Sequence, residues 1–493
     1  MKIEDYSFGG DRKPGIANEQ MRAKPFYIGG SWRESGTIRS VKNPFDGRPA
    51  GDVFQASAKD IDEAIGAATA AFEVTRLSSA FERHRILSEI VRGMEARCEE
   101  FAQMITLETG KPISLSRSEV ERSIFTFSIA ADEARRIGGD VLPLDLNAQS
   151  LGRFGLVRHF PLGPIGAITP FNFPLNLVAH KVAPAIASGN AIVLKPSSNS
   201  PQVALMLAEL VSVSSLAKGA FNVVPCAGDE TTQLIEDKRI KLLTFTGSPA
   251  VGWSLKSKAG KKKVTLELGG NAGVIIEPDA GLDSAIRKTV TGAFANAGQS
   301  CISVQRVYIH KSIWEHARER LLSLTLQLVV GDPFDARTIV GPMITEDAAR
   351  KIEAWIGEAL QGGAHLVCGG QRNGAILAPT ILEDVDPRSK ISCLEAFAPI
   401  MTIEPYDHLD EAVERVNASD FGLQAGLFTR DLPKAFMAFE KLQVGAVVLN
   451  DVPTYRIDHM PYGGVKDSGL GREGIRYAIE EMTELKLLVV NPF

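Results

Sequence analysis

Residues 165–196 read IGAITPFNFPLNLVAHKVAPAIASGNAIVLKP, and the fold class can be read from this stretch. One short apolar run, residues 165–168, ends at the turn Thr169-Pro170, and a second run, residues 191–194, ends at Lys195-Pro196. The segment between them is long enough for a helix. Short apolar runs that alternate with helical segments and end at turn residues predict parallel sheets of the α/β class.

The same alternation continues on both sides of this stretch. Apolar runs recur at residues 221–224 and 242–245, and each is followed by a turn that contains glycine. Strand, turn and helix repeated four times over about 90 residues predict a doubly wound nucleotide-binding sheet. Ligands of such sheets bind at the carboxyl ends of the strands, which here carry Asn172, Lys195 and Gly247.

The flanking segments extend the α/β pattern. Helical spacing of apolar residues predicts helices within residues 61–72 and 80–110. A second alternation begins near Asn271, with strands at residues 274–276 and 306–309 around a helix over residues 283–296. The last apolar segment, residues 484–490, is strand-like. We expect this strand to lack a partner in its own sheet and to pair with another subunit.

Length and composition narrow the class of protein. A chain of 493 residues predicts two or three domains, and a net charge of −5 gives no sign of a nucleic-acid-binding face. The run Lys261-Lys262-Lys263 is better explained as a solvated turn before a strand than as a phosphate or nucleic-acid patch. Five cysteines without a C-x-x-C spacing argue against a disulfide framework and against a cysteine zinc site, so no metal is predicted and a reducing cytoplasm is expected.

No segment of the sequence predicts insertion into a membrane. Residues 1–24 contain charges and no long apolar run, so we expect a flexible lead-in and not a signal peptide. No stretch approaches the roughly 18 apolar residues of a membrane span. A cytoplasmic protein without membrane or nucleic-acid partners is therefore expected.

Two segments offer candidate catalytic groups. In Gly298-Gln299-Ser300-Cys301-Ile302 a cysteine follows a glycine turn, where its backbone N–H could bind an oxyanion; a buried core thiol explains this segment equally well. In Leu266-Glu267-Leu268-Gly269-Gly270-Asn271 the carboxylate is poorly solvated, which raises its pKa towards that of a general base. Taken alone, a glutamate that points to water is the more frequent case.

Two further segments offer binding groups. The Asn172 amide in Thr169-Pro170-Phe171-Asn172-Phe173-Pro174 could stabilise a developing negative charge, although asparagine between prolines is most often a turn residue. In residues 245–252, FTGSPAVG, glycine before a helix start brings free N–H groups to a phosphate. This segment is not G-x-G-x-x-G and is weak support by itself.

The order and context of the four segments together resemble the aldehyde dehydrogenase superfamily, from about Tyr27 to the C-terminus. Further matches are Glu108-Thr109-Gly110-Lys111-Pro112, Val193-Leu194-Lys195-Pro196, Glu395-Ala396-Phe397-Ala398-Pro399, Pro461-Tyr462-Gly463-Gly464-Val465-Lys466 and Gly471-Arg472-Glu473. The resemblance implies a Rossmann-like coenzyme domain, an α/β catalytic domain and a small β oligomerisation domain. The implied bounds are 1–24 for the lead-in, 25–140 and 161–266 for the NAD(P)-binding domain, 267–465 for the catalytic domain, and 141–160 with 480–493 for the oligomerisation domain. It also implies a homodimer or homotetramer.

The chemistry implied by the resemblance is oxidation of an aldehyde to a carboxylic acid. Cys301 attacks the aldehyde as a thiolate, and Asn172 with the Cys301 N–H holds the oxyanion. Hydride passes to NAD or NADP, and Glu267 activates the water that hydrolyses the resulting thioester. Because the coenzyme A-dependent branch of the family usually lacks this glutamate, hydrolysis is favoured over acyl transfer to coenzyme A, which stays open as the alternative.

The resemblance also implies a coenzyme site. Its predicted residues are Thr169, Pro170, Phe171, Lys195, Ser197, Ser198, Gly228, Phe245, Gly247, Ser248, Gly252, Leu268, Glu395 and Phe397. Many NAD-preferring members carry glutamate where this chain has Ser198, and that glutamate repels a 2′-phosphate. Serine removes the repulsion and can donate a hydrogen bond to phosphate, so the chain is predicted to accept NADP.

The substrate is predicted from the segment that precedes Pro461. Residues 451–460, DVPTYRIDHM, resemble the subgroup of lactaldehyde, non-phosphorylating glyceraldehyde-3-phosphate and phosphonoacetaldehyde dehydrogenases. Arg122 and Arg456 could bind an anionic group of the substrate; surface or inter-subunit ion pairs explain both arginines equally well. Phe173 and Ser300 complete the predicted substrate site. Some anion-using members carry arginine at the position of Ser300, which counts against a phosphorylated substrate, and a small polar or anionic aldehyde is expected.

Two rival functions come from other classes. A cysteine hydrolase that uses Cys301 would need a histidine base, and no histidine lies near Cys301 or Glu267 in the sequence. A non-enzymic binding protein on the same scaffold is permitted by the fold alone. The intact set of Asn172, Glu267 and Cys301 argues against it.

Overall fold

The computed structural model of the chain describes residues 22–492. The predicted lead-in over residues 1–24 therefore lies outside the described residues, except for its last three. The helices are α1 (Ala58–Thr75), α2 (Ala80–Ala96), α3 (Cys98–Thr109), α4 (Ile113–Glu133), α5 (Asn176–Ser188), α6 (Pro201–Ser212), α7 (Thr232–Glu236), α8 (Pro249–Lys258), α9 (Leu282–Phe294), α10 (Trp314–Thr325), α11 (Glu346–Gln361), α12 (Lys390–Cys393), α13 (Leu409–Asn417), α14 (Leu432–Lys441) and α15 (Ile475–Glu481).

The strands fall into two large sheets and several small ones. They are β1 (Phe26–Ile28), β2 (Ser31–Arg33), β3 (Ile38–Lys42), β4 (Pro49–Phe54), β5 (Val141–Pro143), β6 (Phe154–Pro161), β7 (Pro164–Ile168), β8 (Ala191–Lys195), β9 (Phe221–Val223), β10 (Leu242–Thr246), β11 (Lys263–Glu267), β12 (Ala272–Ile276), β13 (Val304–His310), β14 (His365–Cys368), β15 (Arg372–Asn373), β16 (Ile376–Leu377), β17 (Thr380–Glu383), β18 (Ile400–Tyr406), β19 (Phe421–Gly422), β20 (Gln424–Phe428), β21 (Ala446–Leu449), β22 (Val465–Lys466), β23 (Gly469–Leu470) and β24 (Thr483–Val490).

The first large sheet confirms the predicted doubly wound architecture. Its strand order is β2-β1-β9-β8-β7-β10-β11-β23, and the strands from β9 to β11 run parallel. The chain moves outward from β7 through β8 to β9, then returns to the other side of β7 for β10 and β11. This reversal between β7 and β10 is the point at which open α/β sheets form a ligand crevice at the carboxyl ends of their strands.

Helices α1 and α2 begin at serines that cap them. Ser57 and Ser79 each accept a hydrogen bond from the third residue of the following helix, and the side chains of Asp60 and Glu82 complete a capping box. The predicted helix within residues 61–72 lies inside α1. The pattern over residues 80–110 forms two helices instead of one, because the chain leaves helical geometry at Arg97 (φ −120°, ψ 20°).

The second large sheet carries the alternation predicted from Asn271 onward. Its order is β14-β17-β18-β13-β12-β20-β21, with parallel pairing from β17 to β21. The helix predicted over residues 283–296 is α9, which ends at Phe294. Separate clusters of buried apolar side chains lie around the first and the second sheet. Two cores of this kind are what a chain of this length requires.

The prediction of an unpartnered terminal strand is wrong. β24 pairs antiparallel with β6 along its whole length, from Thr483 opposite Pro161 to Val490 opposite Phe154, and β5 completes a three-stranded sheet. Strand β24 thus finds its partner, the edge of the β5–β6 hairpin, within the same chain. Because this hairpin lies about 320 residues earlier in the sequence, a local pattern cannot reveal the pairing. Within residues 22–492 no helix is both long and apolar enough to cross a membrane.

Candidate active site

The loops at the carboxyl ends of the first sheet face segments of the second sheet across a cavity of about 540 Å³. All of the predicted catalytic and substrate residues and half of the predicted coenzyme residues line it. They are Arg122, Pro170, Phe171, Asn172, Phe173, Gly247, Ser248, Glu267, Leu268, Glu395, Phe397, Ser300, Cys301 and Arg456. Residues from 111 to 462 in the sequence therefore meet in one site.

The other predicted coenzyme residues lie outside this cavity. They are Thr169, Lys195, Ser197, Ser198, Gly228, Phe245 and Gly252. Most of them end or directly follow parallel strands. Lys195 on β8 and Phe245 on β10, for example, both pair with Ile168 on β7. Gly228 is exposed, and a side chain there would meet no atom within 4 Å, so neither space nor backbone geometry explains a glycine at this position.

The loop that carries Cys301 has an unusual backbone. Asn296, Ala297 and Gly298 all have left-handed φ angles, of 54°, 54° and 65°. A side chain at Gly298 would collide with the carbonyl oxygen of Ala398, 2.0 Å away. Left-handed geometry costs about 1–3 kcal/mol at a non-glycine residue. The Gln299 amide offsets part of this cost, because it donates to the carbonyl of Pro342 and accepts the N–H of Ile344.

Cys301 is partly buried, and its Sγ lies 3.1 Å from the hydroxyl of Tyr462. Burial raises the pKa of the thiol to about 12. No described residue accepts a hydrogen bond from the Cys301 backbone N–H. Gly270 makes the close approach of this loop possible, because a side chain at position 270 would lie 2.0 Å from the Cys301 carbonyl oxygen. The sulfur and a free N–H are thus presented together at the cavity.

Asn172 follows β7 and is 5% exposed. Its Nδ2 donates to the carbonyl oxygen of Gln299 at 3.1 Å, so the amide is oriented by the loop that carries Cys301. An amide nitrogen carries two hydrogens, and the second is available to a ligand. Its Oδ1 is buried without a partner among the described residues.

Glu267 ends β11 and is 3% exposed, so the carboxylate does not point to water. Neither carboxylate oxygen has a hydrogen-bond partner in the described part of the chain. Burial and the nearby negative charge of Glu473 raise the pKa of Glu267 well above its usual value, against the pull of Arg456 and Lys181. A side chain at Gly463 (φ 150°) would lie 2.9 Å from Glu267 Oε1. Glycine at this position keeps the space beside the carboxylate open.

A buried network of charges surrounds Glu267. Glu473 accepts from Lys181 Nζ at 2.8 Å and from Arg456 Nη2 at 3.2 Å, and all three side chains are at most 6% exposed. Burial would raise the pKa of Glu473, but Lys181, His180 and Arg456 together lower it to about 2. Arg456 also lies over the ring of Tyr462, with 3.6 Å from its guanidinium carbon to the ring centroid.

The two predicted substrate arginines are both engaged within the chain. Arg122 donates to both oxygens of Asp458, at 2.7 and 3.3 Å, and is 32% exposed. Asp458 also lies 2.9 Å from His180 Nε2, and together these partners hold the pKa of Asp458 well below its usual range. The ion pair of Arg122 is thus at the cavity wall, and that of Arg456 is buried, instead of lying at the surface.

The predicted coenzyme residues offer groups of the kind that NAD(P) needs, namely a buried carboxylate, an aromatic pair and hydroxyls without a partner in the described residues. Gly270 N–H donates to Glu395 Oε1 at 3.0 Å, and burial raises the pKa of Glu395 to about 7. Phe397 has a left-handed φ of 52°, and its ring meets Phe171 edge-on, with 6.0 Å between the centroids. A side chain at Gly247 would collide with the Phe245 ring, so glycine at this position keeps the space before helix α8 open to a ligand. Buried hydroxyls without partners at Thr169 and Thr246 offer hydrogen bonds to a ligand.

Several residues of the site were not predicted from the sequence. Tyr462 and Lys111 line the cavity, and Lys181, Glu473 and Asp458 support it. Lys111 pairs with buried Glu119, and its Nζ lies 3.8 Å from the centroid of the Phe173 ring. A signal existed for one of them: residues 177–187, LVAHKVAPAIA, are apolar apart from His180 and Lys181, and a lysine in a buried helix needs an anionic partner. The identity of that partner, Glu473, could not be read from the sequence.

Comparisons with known proteins agree with this geometry. The chain matches the model of the aldehyde dehydrogenase family over residues 32–488. It is 43% identical to the 3-sulfolactaldehyde dehydrogenase of Priestia aryabhattai, over 96% of this chain and 99% of that protein. The structure of aldehyde dehydrogenase 21 from Physcomitrella patens, in complex with the reaction product succinate, is 44% identical and covers 96% of this chain and 98% of its own, with a TM-score of 0.94.

A third relative bears on the coenzyme. The glyceraldehyde-3-phosphate dehydrogenase of Methanocaldococcus jannaschii, solved in complex with NADP, is 38% identical with a TM-score of 0.88, and the match covers 93% of this chain and 99% of that chain. Similarity at this level over nearly the full length of each protein establishes more than a shared fold. The chain belongs to the aldehyde dehydrogenase family and is an NAD(P)-dependent enzyme.

Proposed function

We propose that this enzyme oxidises a small anionic aldehyde to its carboxylic acid through a thioester on Cys301, which activated water then hydrolyses. The observation that carries the proposal is the convergence of Cys301, Asn172 and Glu267 on one cavity. Each of them is held by packing or by a hydrogen bond from another element. Groups held in advance of the reaction lower its barrier because little reorganisation is needed.

The first step is attack of the Cys301 thiolate on the aldehyde carbon. The C=O double bond becomes a C–O⁻ single bond, and the new charge is stabilised by two donors that are free in the described residues. These donors are the Cys301 backbone N–H and the second Nδ2 hydrogen of Asn172. Removal of one such donor costs about 10²–10³ in rate in a comparable oxyanion site.

The second step collapses this adduct to a thioester. Glu395, Phe397, Gly247 and Ser248 would hold the coenzyme, which when bound accepts the hydride that leaves the substrate carbon. Water then attacks the thioester carbonyl, and Glu267 takes a proton from that water. The carboxylate of Glu267 has no hydrogen-bond partner in the described residues and a raised pKa, both of which suit a general base. The C–S bond then breaks, which releases the carboxylic acid and restores free Cys301.

The proposed charge of the substrate is supported by Arg456 and Arg122. Both line the cavity, on different elements, and each guanidinium retains N–H groups beyond those in its ion pair. Arg456 Nε is buried without a partner in the described part of the chain. One relative is named for 3-sulfolactaldehyde, and the structural neighbour was solved with its reaction product succinate; both molecules are anionic. Ser300 lines the cavity next to Cys301 and adds a hydroxyl without a charge.

Transfer of the acyl group to coenzyme A is the alternative within the family. The presence of Glu267 disfavours it, because a base that activates water would have no role if a thiol, and not water, attacked the thioester. Addition of coenzyme A to the reaction, with a search for acyl-coenzyme A by mass spectrometry, distinguishes the two. Acyl-coenzyme A in place of the free acid would contradict the hydrolytic proposal.

The first test is absorbance at 340 nm with a panel of aldehydes, each with NAD and with NADP. The panel contains 3-sulfolactaldehyde, lactaldehyde, succinic semialdehyde, glyceraldehyde-3-phosphate, phosphonoacetaldehyde and, as a neutral reference, propanal. We expect aldehyde-dependent signal that Cys301→Ala abolishes, with anionic aldehydes ahead of propanal. Full activity of Cys301→Ala would reject the mechanism. Turnover with NAD and none with NADP would reject the role given to Ser198.

A further inference from the structure

Tyr462 lies between the predicted nucleophile and the predicted anion-binding arginine. Its side chain is 3% exposed, its hydroxyl lies 3.1 Å from Cys301 Sγ, and its ring lies under the guanidinium of Arg456. The backbone of Tyr462 is fixed by two hydrogen bonds with Glu473, of 3.0 and 2.7 Å. A phenol held at both ends in this way has a defined direction towards the sulfur.

The charges around Cys301 show what the hydroxyl adds. The thiolate form is opposed by burial and by the carboxylates of Glu395 and Glu267. It is favoured by the hydrogen bond to Tyr462 and by the positive charge of Arg456. Burial also raises the pKa of Tyr462 well above its usual value, so the phenol stays neutral and keeps its proton. Once Cys301 has lost its proton, the only hydrogen left between the two atoms is that of the phenol.

We propose that the Tyr462 hydroxyl positions the Cys301 thiolate by donating a hydrogen bond to its sulfur. This inference rests on the proposed function, in which Cys301 is the nucleophile. The hydrogen bond favours the charged form of the sulfur and restricts the side chain to one rotamer facing the cavity. Tyr462 is a positioning residue in this scheme: it neither gains nor loses a proton in the reaction.

The test is the rate at which iodoacetamide alkylates Cys301 between pH 6 and pH 9. Tyr462→Phe removes one oxygen and leaves the ring under Arg456. Loss of a hydrogen bond to a charged group changes its ionisation equilibrium by roughly 10- to 100-fold, so alkylation at each pH below the thiol pKa should slow by about that factor. Peptide mass spectrometry separates Cys301 from the other four cysteines. Exposed Cys98 serves as the internal reference.

The matched control is Tyr455→Phe, because Tyr455 lies close in sequence and is 51% exposed. This variant should alkylate at the wild-type rate. Fluorotyrosine at position 462 keeps the shape of the ring and makes the phenol a stronger donor, so Cys301 should then react faster. This second change has the opposite sign and does not depend on the stability of Tyr462→Phe.

Unchanged Cys301 alkylation in Tyr462→Phe would overturn the inference, even if the melting temperature fell, since a purely structural role does not move thiol reactivity. The proposed function fails by a separate result, activity in Cys301→Ala. The two can therefore be told apart.

A second inference concerns the other end of the coenzyme site, where Lys195 ends β8. Lys195 is 9% exposed, and in the described part of the chain no carboxylate pairs with its ammonium. Burial lowers the pKa of Lys195; nearby Cys226 opposes this shift, and the positive charge of Arg39 on β3 adds to it. A buried ammonium without a carboxylate partner is unfavourable unless an anionic ligand joins it.

Arg39 reaches the loop that follows Lys195. Its Nη2 donates to Asn199 Oδ1 at 3.3 Å, and Asn199 in turn donates its backbone N–H to Ser197 Oγ at 3.1 Å. Ser198 Oγ makes only a long contact, 3.4 Å, to the Cys226 carbonyl. Two cations and a weakly engaged hydroxyl thus gather at this loop, which is the chemistry that recognises a phosphate dianion.

We infer that Arg39 binds the 2′-phosphate of NADP together with Lys195 and Ser198. The inference deepens the proposed function, because it names a residue outside the α/β core that selects between the two coenzymes. NAD offers Arg39 no phosphate to bind, because its ribose carries a hydroxyl at the 2′ position.

The test is equilibrium binding measured by calorimetry without aldehyde. Arg39→Ala should weaken NADP and 2′,5′-ADP by roughly tenfold, which corresponds to one charge-assisted hydrogen bond, and should leave NAD and 5′-AMP unchanged. Arg48→Ala is the control, because Arg48 precedes strand β4 of the same hairpin and pairs with Asp46 at 2.7 Å. Equal affinity of Arg39→Ala and wild type for NADP, or an equal loss for NAD, would overturn the inference. Failure of wild type to bind 2′,5′-ADP would also overturn it.

Discussion

At the residue scale, one carboxyl group of the site is buried without a hydrogen-bond partner in the described part of the chain, while a neighbouring carboxylate is paired with the nearby cations. Glu267 has no hydrogen-bond partner in the described residues, whereas Glu473, close enough to repel it, is bound by both Lys181 and Arg456. The pKa values of the two glutamates are therefore pushed apart, with that of Glu267 raised and that of Glu473 lowered to about 2. Two carboxyl groups with separated pKa values can hold different roles in one site.

Glu267→Gln should slow hydrolysis of the thioester and leave its formation intact. We expect kcat to fall by about 10²–10³, within the range for removal of a general base, while rapid mixing still shows a burst of NAD(P)H. In the wild type the base form exists only above the raised pKa of Glu267, so kcat should decline as the pH falls through that value. The variant should lack this acidic limb. Wild-type turnover in Glu267→Gln would refute the role of base.

Arg456→Ala should discriminate between substrates by charge. The KM for an anionic aldehyde should rise at least tenfold, since a guanidinium contact to a charged group contributes about 1.5–3 kcal/mol, and the KM for propanal should stay within twofold. Comparison of two substrates on one variant cancels any loss of folded protein. Glu473 keeps Lys181 as a partner in this variant. An equal rise for both aldehydes would remove the anion site from the proposal.

At the element scale, α5 shows how the fold combines a buried helix with ionic anchors. All of its residues are buried, yet it carries Lys181, which binds Glu473 and the hydroxyl of Thr244 on β10. Lys181→Met should lower the free energy of unfolding by about 3–5 kcal/mol at pH 7, because it leaves the Glu473 charge less compensated. Arg476→Met is the control: its pair with Glu480 is exposed, so a loss under about 1 kcal/mol is expected.

The same pair makes a pH-dependent contribution to stability. The folded-state pKa of Glu473 is about 2, below the ordinary value of 4.5. A carboxyl group with a lowered pKa stabilises the fold fully above its unfolded pKa and loses this contribution as the pH falls towards its folded pKa. The difference in unfolding free energy between wild type and Lys181→Met, measured in urea, should therefore shrink between pH 5 and pH 3. A constant difference over this range would contradict the ionic anchor.

How far the sequence predicts these elements depends on whether the signal is local. The buried strands β7, β8 and β10 are continuous apolar runs with turn residues behind them, so both their existence and the ligand-binding edge of the sheet were predictable. The break at Arg97 was not, because apolar spacing continues through it. Contacts such as Arg122 with Asp458, 336 residues apart, depend on the finished fold and leave no trace in local pattern.

At the scale of the whole molecule, the proposed catalytic groups come from both large sheets. The first sheet supplies Asn172 and Glu267 from its strand ends, and the α9–β13 connection, which precedes a strand of the second sheet, supplies Cys301. We propose that this division corresponds to the coenzyme and catalytic domains expected over residues 25–140 with 161–266 and 267–465. The diglycine Gly269-Gly270 allows the two to meet, since side chains there would collide with Glu395 and with the Cys301 loop.

The three-stranded sheet has a different role in the molecule. β24 lies at its edge and pairs with β6 on one side only, and it carries exposed apolar side chains at Leu485 (63%), Leu487 (48%), Leu488 (60%) and Val489 (52%). A long apolar edge strand invites pairing with another chain unless it is covered. A second copy of this chain is the partner expected from the family resemblance. The dimer or tetramer predicted from the sequence therefore remains our proposal, with this sheet as its contact.

Size-exclusion chromatography with light scattering tests this proposal, because the monomer mass is 53.2 kDa. We expect wild type to elute at two or four times this value. Leu488→Asp places a charge on the apolar edge, and its burial in an interface without a partner is costly, so the variant should shift towards monomer. Val213→Asp, at the end of α6 and 85% exposed, adds the same charge elsewhere and should not change the mass. A monomeric wild type would exclude the assembly, whereas an unchanged oligomer in Leu488→Asp would place the contact on another surface of the molecule.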